Sequence, residues 1–263
     1  MSLVGEERKE LILELLQQEG KVKTTELVEK LQVSSESVRR YLEELEQEQR
    51  LRRVYGGAVK VSGDIELLSY KDDSEVCYSS VKDIAQVAAN LVQHGESVAL
   101  DDGIISLYML PYLLEKQDVT IITCSVRLLQ AFFLQEKKDE FTGDIYFLGG
   151  KVHQKHARVC GLMTEKMMEY FHADKAFLCV DGLSLQKGMS HHDAERAFLV
   201  RKFMENSKEC IVLCDQDKLE LQTFYKIADI KDIQTVICDS EIPEEWADKY
   251  QEWQVQWVNA SRV

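Results

Sequence analysis

The sequence predicts an α/β protein in two parts: a small N-terminal domain of short helices and two strands, and a larger domain on a mostly parallel sheet. Three observations carry this. Helix-period segments in the first fifty residues lead into two short basic strands around Tyr55-Gly56-Gly57. Beyond Lys82, apolar runs of four to six residues alternate with amphipathic segments, the pattern of parallel strands covered on both faces. The chain has 263 residues, 45% of them hydrophobic, enough for two cores.

The first helix is expected from about Glu6 to Glu19, with Ile12, Leu15 and Leu16 on one face and Gly20 as its stop. A second opens at Thr24 or Thr25, either of which can cap it, and buries Leu27, Val28 and Leu31. Gln32-Val33 is the turn. Ser34 caps a third helix whose inner face is Val38, Tyr41 or Leu42, and Leu45. Leu51–Val54 and Ala58–Val61 read as the two strands. This layout is a winged helix-turn-helix over residues 1–61, followed by a polar linker at 62–80 and an α/β domain at 81–263.

In the larger domain a helix from Lys82 ends near His94-Gly95. Ser97–Leu100 is a strand ending in Asp101-Asp102-Gly103, and Ser106–Leu114 is helical. Val119–Thr123 is a strand, followed by a helix through Leu134. Ile145–Leu148 ends at Gly149-Gly150, and Lys175–Val180 at Asp181-Gly182. Glu195–Glu205 is a helix. Cys210–Cys214 ends at Asp215, Thr235–Cys238 at Asp239, and Val255–Val258 is a final strand.

The formal net charge is -14. Residues 1–62 hold 11 Lys/Arg against 12 Asp/Glu, and the remainder 21 against 34. Any attraction to phosphate is therefore local to the first domain. Seven cysteines, odd in number and without a CxxC pair, read as free buried thiols in a reducing compartment. No apolar run approaches the ~18–20 residues of a membrane span, and no signal-peptide pattern opens the sequence. A cytoplasmic protein without membrane contact is expected.

A helix entering the major groove presents small polar residues first and long donors next. Ser35 and Ser37 fit the first role; Arg39 and Arg40 fit the second, because arginine pairs bidentately with guanine, and Thr24 and Ser34 at the helix starts complete the expected DNA-contact set. Arg53 and Tyr55 are placed on the wing for phosphate or minor-groove contact. The competing reading of Arg40 is an intrahelical pair with Glu36. Residues 6–61 resemble the DNA-binding domain of DeoR-type bacterial transcription regulators, whose recognition segment reads V-S-x-x-T-[IV]-R-R-D-L with R-x-x-G-G-A in the wing. Val33, Ser34, Val38, Arg39, Arg40, Leu42, Arg53, Gly56, Gly57 and Ala58 match. Ser37 keeps the threonine's hydroxyl, and Tyr41 replaces the aspartate.

Strand C-termini of an open α/β sheet face a crevice where ligands bind. Glycines there admit close backbone approach, and the following helix N-termini offer N–H groups to an anion. About residues 77–240 resemble the DeoR sensor domain, related in fold to ribose-5-phosphate isomerase and CoA transferases. The resemblance implies binding of a phosphorylated sugar or related metabolite. Its pattern of D-x-G-[ST]-T, T-N-[SG], Gly-Gly, Asp-Gly and D-x-S-K falls on Asp101 and Gly103, Thr123 and Ser125, Gly149 and Gly150, Asp181 and Gly182, and Asp215 and Lys218. The family's two hydroxyl residues are here Ile104 and Ile105, its asparagine is Cys124, and its serine is Asp217. The expected effector set is Asp101, Gly103, Ile104, Ile105, Thr123, Cys124, Ser125, Gly149, Gly150, Asp181 and Lys218. Isoleucines cannot donate to a phosphate and Asp217 adds negative charge, so the pattern points to a different effector, a weaker one, or none.

His191-His192-Asp193 invites a metal, but adjacent histidines rarely aim at one ion, and a solvated loop is the expectation. His153, His156 and Arg158 follow Gly149-Gly150 and either flank the pocket mouth or form a flexible basic loop. No metal and no cofactor is expected. The leading reading is a DNA-binding regulator, a repressor of a carbohydrate-utilisation operon, acting on operator DNA as a homo-oligomer because paired half-sites require two recognition helices. The alternatives are an isomerase-like enzyme using Asp101, Asp102 or Asp181 as acid and base, and a regulator without a small-molecule effector.

Overall fold

The computed structural model describes residues 8–13, 15–16, 21–47, 50–54, 57–60 and 78–262. The chain divides into two compact units, Met1–Asp64 and Ile65–Val263.

In the first unit residues 8–13 and 15–16 are helical; Glu6 and Gly20, the expected ends, lie outside the described residues. β1 (Lys21–Lys23) runs directly into α1 (Thr24–Leu31), and α2 (Ser35–Gln47) follows. Gln32 makes the turn between the helices in the left-handed region, at φ 52°. β2 (Leu51–Val54) and β3 (Gly57–Lys60) pair antiparallel, and β1 adds to β3 on its other side. The third strand is a departure from the sequence reading; three residues are too short to show an alternation.

The α1 cap also differs from expectation. Neither threonine makes it: Lys23 is the cap residue, and its N–H donates to Glu26 Oε2 at 3.4 Å. A carboxylate three residues into the helix satisfies that exposed donor and stabilises the positive end of the helix. In α2 the Ser37 N–H donates to Ser34 Oγ at 3.2 Å, the expected cap. Val38, Tyr41, Leu42 and Leu45 are all buried, so both candidates for the middle position face inward. They meet Ile12, Leu16, Leu27, Leu31, Leu51 and Ala58 in one small core. The buried Lys9 ammonium lies 3.2 Å from Glu44, tying the first helix to α2.

The second unit opens with α3 (Tyr78–Asn90), which begins inside the expected linker; residues 61–77 lie outside the described residues. There follow β4 (Ser97–Leu100), α4 (Ile104–Leu113), β5 (Thr120–Thr123), α5 (Val126–Leu134) and β6 (Asp144–Phe147). A hairpin of β7 (Lys151–His153) and β8 (Arg158–Cys160) leads to α6 (Leu162–Met168) and β9 (Ala173–Cys179). β10 (Gly182–Ser184), β11 (Gly188–His191), α7 (Ala194–Glu205), β12 (Ser207–Leu213), β13 (Tyr225–Ala228), β14 (Thr235–Cys238), α8 (Glu244–Trp253) and β15 (Gln256–Asn259) complete it.

Seven strands form a parallel sheet in the order β15-β14-β12-β9-β4-β5-β6. Within the apolar runs, successive side chains go to opposite faces. Val98 and Leu100 join Phe177, Leu213 and the apolar sides of α3, α4 and α5. Ala99 joins Ala176, Leu178, Val212 and residues of α6, α7 and α8. The antiparallel sheet β10-β11-β13, the β7-β8 hairpin, α6 and α8 are absent from the sequence reading. Strands such as Gly-Leu-Ser and Gly-Met-Ser-His are buried at every position and so show no polar–apolar alternation.

At Gly57 the backbone of β1 presses so close that a Cβ would sit 2.0 Å from the Val22 carbonyl oxygen. Gly57→Ala should cost the first unit about 1–3 kcal/mol. Amide exchange in residues 21–60 should quicken accordingly, while unfolding followed by Trp246, Trp253 and Trp257, all in the second unit, stays unchanged.

Candidate functional site

In the first unit α2 buries one face and exposes Ser35, Glu36, Arg39, Arg40, Glu43 and Glu46. Arg39 has no ion-pair partner among the described residues. Arg40 Nε lies 3.9 Å from Glu44 Oε1, one turn on, rather than against Glu36, and its guanidinium sits 5.6 Å from the Tyr41 ring centroid. Ser34 Oγ, already accepting from the Ser37 N–H, is 3.1 Å from Ser37 Oγ. Ser35 is exposed, and Thr24 is half-exposed in the first turn of α1. Arg53 is exposed on β2, where its N–H donates to Glu46 Oε1 at 2.8 Å. Tyr55 and Gly56 lie outside the described residues.

In the second unit the order of the sheet reverses between β4 and β9. From β4 the chain winds outward through β5 and β6; from β9 it winds the other way through β12, β14 and β15. That is the topological switch point, where open α/β sheets form their crevice. Asp101-Asp102-Gly103 leaves β4 there and Val180-Asp181 leaves β9.

Asp101 is buried and accepts three hydrogen bonds, from Gly103 N–H at 2.9 Å, Ser106 Oγ at 2.9 Å and Cys179 N–H at 2.7 Å. It therefore clasps β4, the start of α4 and the end of β9 together. Burial pushes its pKa up despite Arg196 nearby. Asp102, also buried, accepts from Arg158 Nη1 at 3.0 Å and lies 2.8 Å from Arg196 Nε. Burial opposes its ionisation, but the two guanidiniums outweigh that and hold its pKa below the usual carboxylate value. Arg196 reaches Asp181 Oδ1 at 3.4 Å and Asp101 Oδ2 at 3.6 Å, and Arg158 Nη2 lies 3.1 Å from Asp193 Oδ2. Asp181 accepts from the His192 N–H at 3.0 Å and is held low against burial by His191 and Arg196. His191 Nδ1 stands 3.0 Å from Asp181 Oδ2, while burial and Arg196 keep its pKa below the ordinary histidine value.

Several expected effector residues are engaged by the fold instead. Ile105 packs into the apolar core under α4, so its side chain is not presented to the crevice. Thr123 is buried, and its Oγ1 accepts from the Ser125 N–H at 3.1 Å. Ser125 caps α5 by accepting from the Leu128 N–H at 3.2 Å. Cys124 is buried in the opposite core. The crevice itself is bordered by Gly103, the cap residue of α4, by half-exposed Ile104, and by Asp181. Gly149 and Gly150 pack on α6: Thr164 Oγ1 donates to the Gly149 carbonyl at 2.9 Å, and a Cβ on Gly150 would meet Thr164 Oγ1 at 2.2 Å. Lys218 is half-exposed, and the bridge between Leu219 and Leu183 brings its segment alongside β10, just after Asp181.

His191 is no solvated-loop residue: it ends β11 with no exposed surface, while His192 is exposed and Asp193 caps α7. Arg158 is not part of an exposed basic loop but is buried in the ion-pair network. Arg196 has no place in the sequence reading at all. Its signal was present: it shares the inward stripe of α7 with Val200 and Phe203, at i+4 and i+7. A lone arginine on an apolar stripe implies a buried acidic partner. Among the described residues no cluster of three or more His, Cys, Asp or Glu side chains is arranged to hold a metal. No described helix is long and apolar enough to cross a membrane.

These two units define a helix-turn-helix DNA-binding regulator with an α/β sensor domain. Residues 8–63 match the DeoR-like helix-turn-helix domain and residues 78–240 the DeoR C terminal sensor domain; the chain belongs to the DeoR family of transcriptional regulators. It is 31% identical over 234 residues to the HTH-type transcriptional repressor GlcR of Bacillus subtilis, covering 89% of this chain and 88% of that one. It is 26% identical over 235 residues to the lactose phosphotransferase system repressor of Staphylococcus epidermidis, covering 89% and 92%. Among solved structures, ribose 5-phosphate isomerase A of Methanocaldococcus jannaschii aligns over 55% of each chain with TM-score 0.39 and 16% identity.

Arg196→Met leaves buried Asp101 and Asp102 short of a counter-charge and should cost about 3–5 kcal/mol in urea unfolding followed by tryptophan fluorescence. Adding Asp102→Asn should recover part of that loss; a single-variant cost below about 1 kcal/mol would contradict the network described.

The depressed pKa of His191 has a definite sign in stability. Between about pH 6.5 and the lower folded pKa, the unfolded chain takes up a proton that the folded chain refuses. Stability is thus fully present above about pH 6.5 and falls as pH drops through that window. His191→Gln should flatten this part of the stability–pH curve, measured as midpoints of urea unfolding; an unchanged slope would show that His191 is not held neutral.

Proposed function

We propose that the chain is a repressor of a carbohydrate-utilisation operon, released from its operator by a phosphorylated sugar or related metabolite, and that it works in the cytoplasm as a homodimer or higher homo-oligomer. The observation that carries this reading is the exposed pair Arg39 and Arg53, on a serine-capped helix and its neighbouring strand, without ion-pair partners among the described residues. In a chain of net charge -14, cations left free on one small unit are the groups available to phosphate and base edges. The names of the two relatives support repression, and in one case a sugar system. The DNA contacts we assign are Thr24, Ser34, Ser35, Ser37, Arg39, Arg40 and Arg53, with Tyr55 beside them.

For the effector we assign the backbone at Gly103, Ile104 and Ile105, with Gly149, Gly150, Asp181 and Lys218 around it. The first N–H groups of α4 have no intrahelical acceptor, and they stand where an anion is favoured. The network argues against an enzyme. Asp102 and Asp181 are bound to guanidiniums, Asp101 to three donors, and the thiols of Cys124, Cys160 and Cys179 are pushed up by burial, so none of these groups stands ready as base or nucleophile. A second reading, a regulator whose effector is not a phosphate ester, is favoured by the missing hydroxyls at Ile104 and Ile105 and by Asp217.

Fluorescence anisotropy on DNA from upstream of the chain's own gene tests both. Wild-type protein should bind it well above random DNA, and Arg39→Ala should lose about 1–3 kcal/mol on the specific site with little change on random DNA. Equal loss on both would make Arg39 a phosphate contact. One member of a sugar-phosphate panel should weaken operator binding at least about tenfold, a coupling of ordinary size. No response across the panel would favour the second reading, and no preference for the upstream DNA would overturn both.

A further inference from the structure

In the strongly acidic second unit one segment carries no acid at all. Residues 145–164 hold neither Asp nor Glu, the longest such run in the chain, and contain Lys151, His153, Lys155, His156 and Arg158. They include the β7-β8 hairpin. Lys151 and His153, two positions apart, share a face of β7. Gln154–His156 form one short helical turn, and Ala157, at φ 49°, leads into β8. The hairpin is fixed at the C-terminal end of β5: the Val159 N–H donates to the Cys124 carbonyl and the Val126 N–H to that of Ala157, each at 2.9 Å. From there Arg158 reaches Asp102, next to Gly103 at the start of α4. The basic segment therefore rises from the edge of the sheet where the crevice lies, and it follows directly on Gly150.

Lys151, Val152, His153, Gln154 and Lys155 line an open cleft of about 420 Å³, within the ~300–1,000 Å³ of small-ligand sites. Lys151 and Lys155 are exposed, and neither has an ion-pair partner among the described residues. By contrast Lys166, Lys202, Lys226 and Lys249 each pair with a carboxylate three residues on; the hairpin sequence offers no such acid. The Nδ1 atom of His153 is buried without a hydrogen-bond partner among the described residues, and a buried polar atom left unmatched is costly. The His153 and His156 rings stand 4.9 Å apart. Burial pushes the pKa of His156 down, and Arg158 and His153 add to the lowering, which marks a positive local field. Ammonium groups and a ring nitrogen around a small cleft suit a compact dianion. A long polyanion such as DNA would meet the rest of the unit, where Lys and Arg are outnumbered 21 to 34 by Asp and Glu.

We propose that the hairpin cleft binds a phosphoryl group through Lys151, His153 and Lys155, and that it supplies to the effector the side-chain contacts that Ile104 and Ile105 do not. The second part rests on the effector reading above; the first stands on the cleft alone.

The full chain, carrying isotope-labelled histidine, is titrated with inorganic phosphate at constant pH and ionic strength, and the ring signals are followed by NMR with His153→Gln and His156→Gln as assignments. Both signals should shift and saturate, and chloride should not reproduce the effect. The double variant Lys151→Ala, Lys155→Ala should weaken phosphate binding at least about tenfold through lost charge-assisted contacts. Lys187→Ala, an exposed lysine between β10 and β11, should leave it unchanged. No shift, a shift without saturation, unchanged affinity in the double variant or equal weakening by Lys187→Ala would overturn the cleft. In the anisotropy assay, the sugar phosphate that weakens operator binding should be needed at about tenfold higher concentration with the double variant; an unchanged requirement would overturn the link to the effector. A panel with no active member beside saturable phosphate binding would sink the effector reading and leave the cleft standing.

Discussion

The second unit depends on two arginines that pair with two buried carboxylates, Asp101 and Asp102, and two half-buried ones, Asp181 and Asp193, in a protein that is already strongly acidic. Asp101, Asp102, Asp181 and Asp193 converge where the sheet reverses its winding, and Arg158 and Arg196 arrive from β8 and α7 to meet them. An unpaired charge so placed would neutralise or expel itself. The network thus fixes more than charge: it holds the β7-β8 hairpin and α7 against the strand ends. Asp101 resolves the same difficulty differently. Three short donors from three elements converge on it, so a raised pKa is compatible with a position at the junction of β4, α4 and β9.

This arrangement divides the work at the crevice between side chains and backbone. The polar side chains beside the strand ends are drawn inward: Thr123 supports the β5 turn, Ser125 caps α5, and Ser106 donates to Asp101. What faces outward is peptide. Gly103 is needed because a Cβ there would fall 2.1 Å from Cys179 Sγ, so the cap of α4 is set by contact with β9 as much as by its own dihedrals. Ile104 and Ile105 open α4 without a side-chain donor of their own. The first turn of α4 thus presents backbone N–H groups, not side-chain hydroxyls, at the crevice.

Much of this was legible in the sequence, and the parts that were not share a physical cause. The recognition helix could be read because a one-sided helix imposes its period: Val38, Leu42 and Leu45 bury while Arg39 and Arg40 do not. The central strands could be read because burial on both faces makes them uniformly apolar. Where burial combines with short length, the signal vanishes, as in β10 and β11. The side-chain partners at the switch point were hidden for another reason. Arg158 and Arg196 stand 38 positions apart and more than 50 beyond Asp102, so no local spacing connects them. A motif view recorded the aspartates and missed the cations that allow those aspartates to be there.

The two units also solve opposite electrostatic problems, which bears on how DNA is engaged. The second unit confines its few buried cations to internal pairs and leaves a surplus of acid outside. The first is nearly neutral, and its other cations are partly consumed: Lys9 by Glu44, Arg50 by Glu10, Arg40 loosely by Glu44. Arg39 and Arg53 are exposed and without ion-pair partners among the described residues. At ordinary ionic strength screening reduces the influence of charges more than about 8–10 Å away, so a contact made at hydrogen-bond distance depends mainly on the charges beside it. The effect of the acidic remainder falls on approach: diffuse attraction to arbitrary DNA is weak, and affinity must come from close, oriented contacts. A protein of this charge gains discrimination between operator and bulk DNA by lacking the general basicity that would hold it to both.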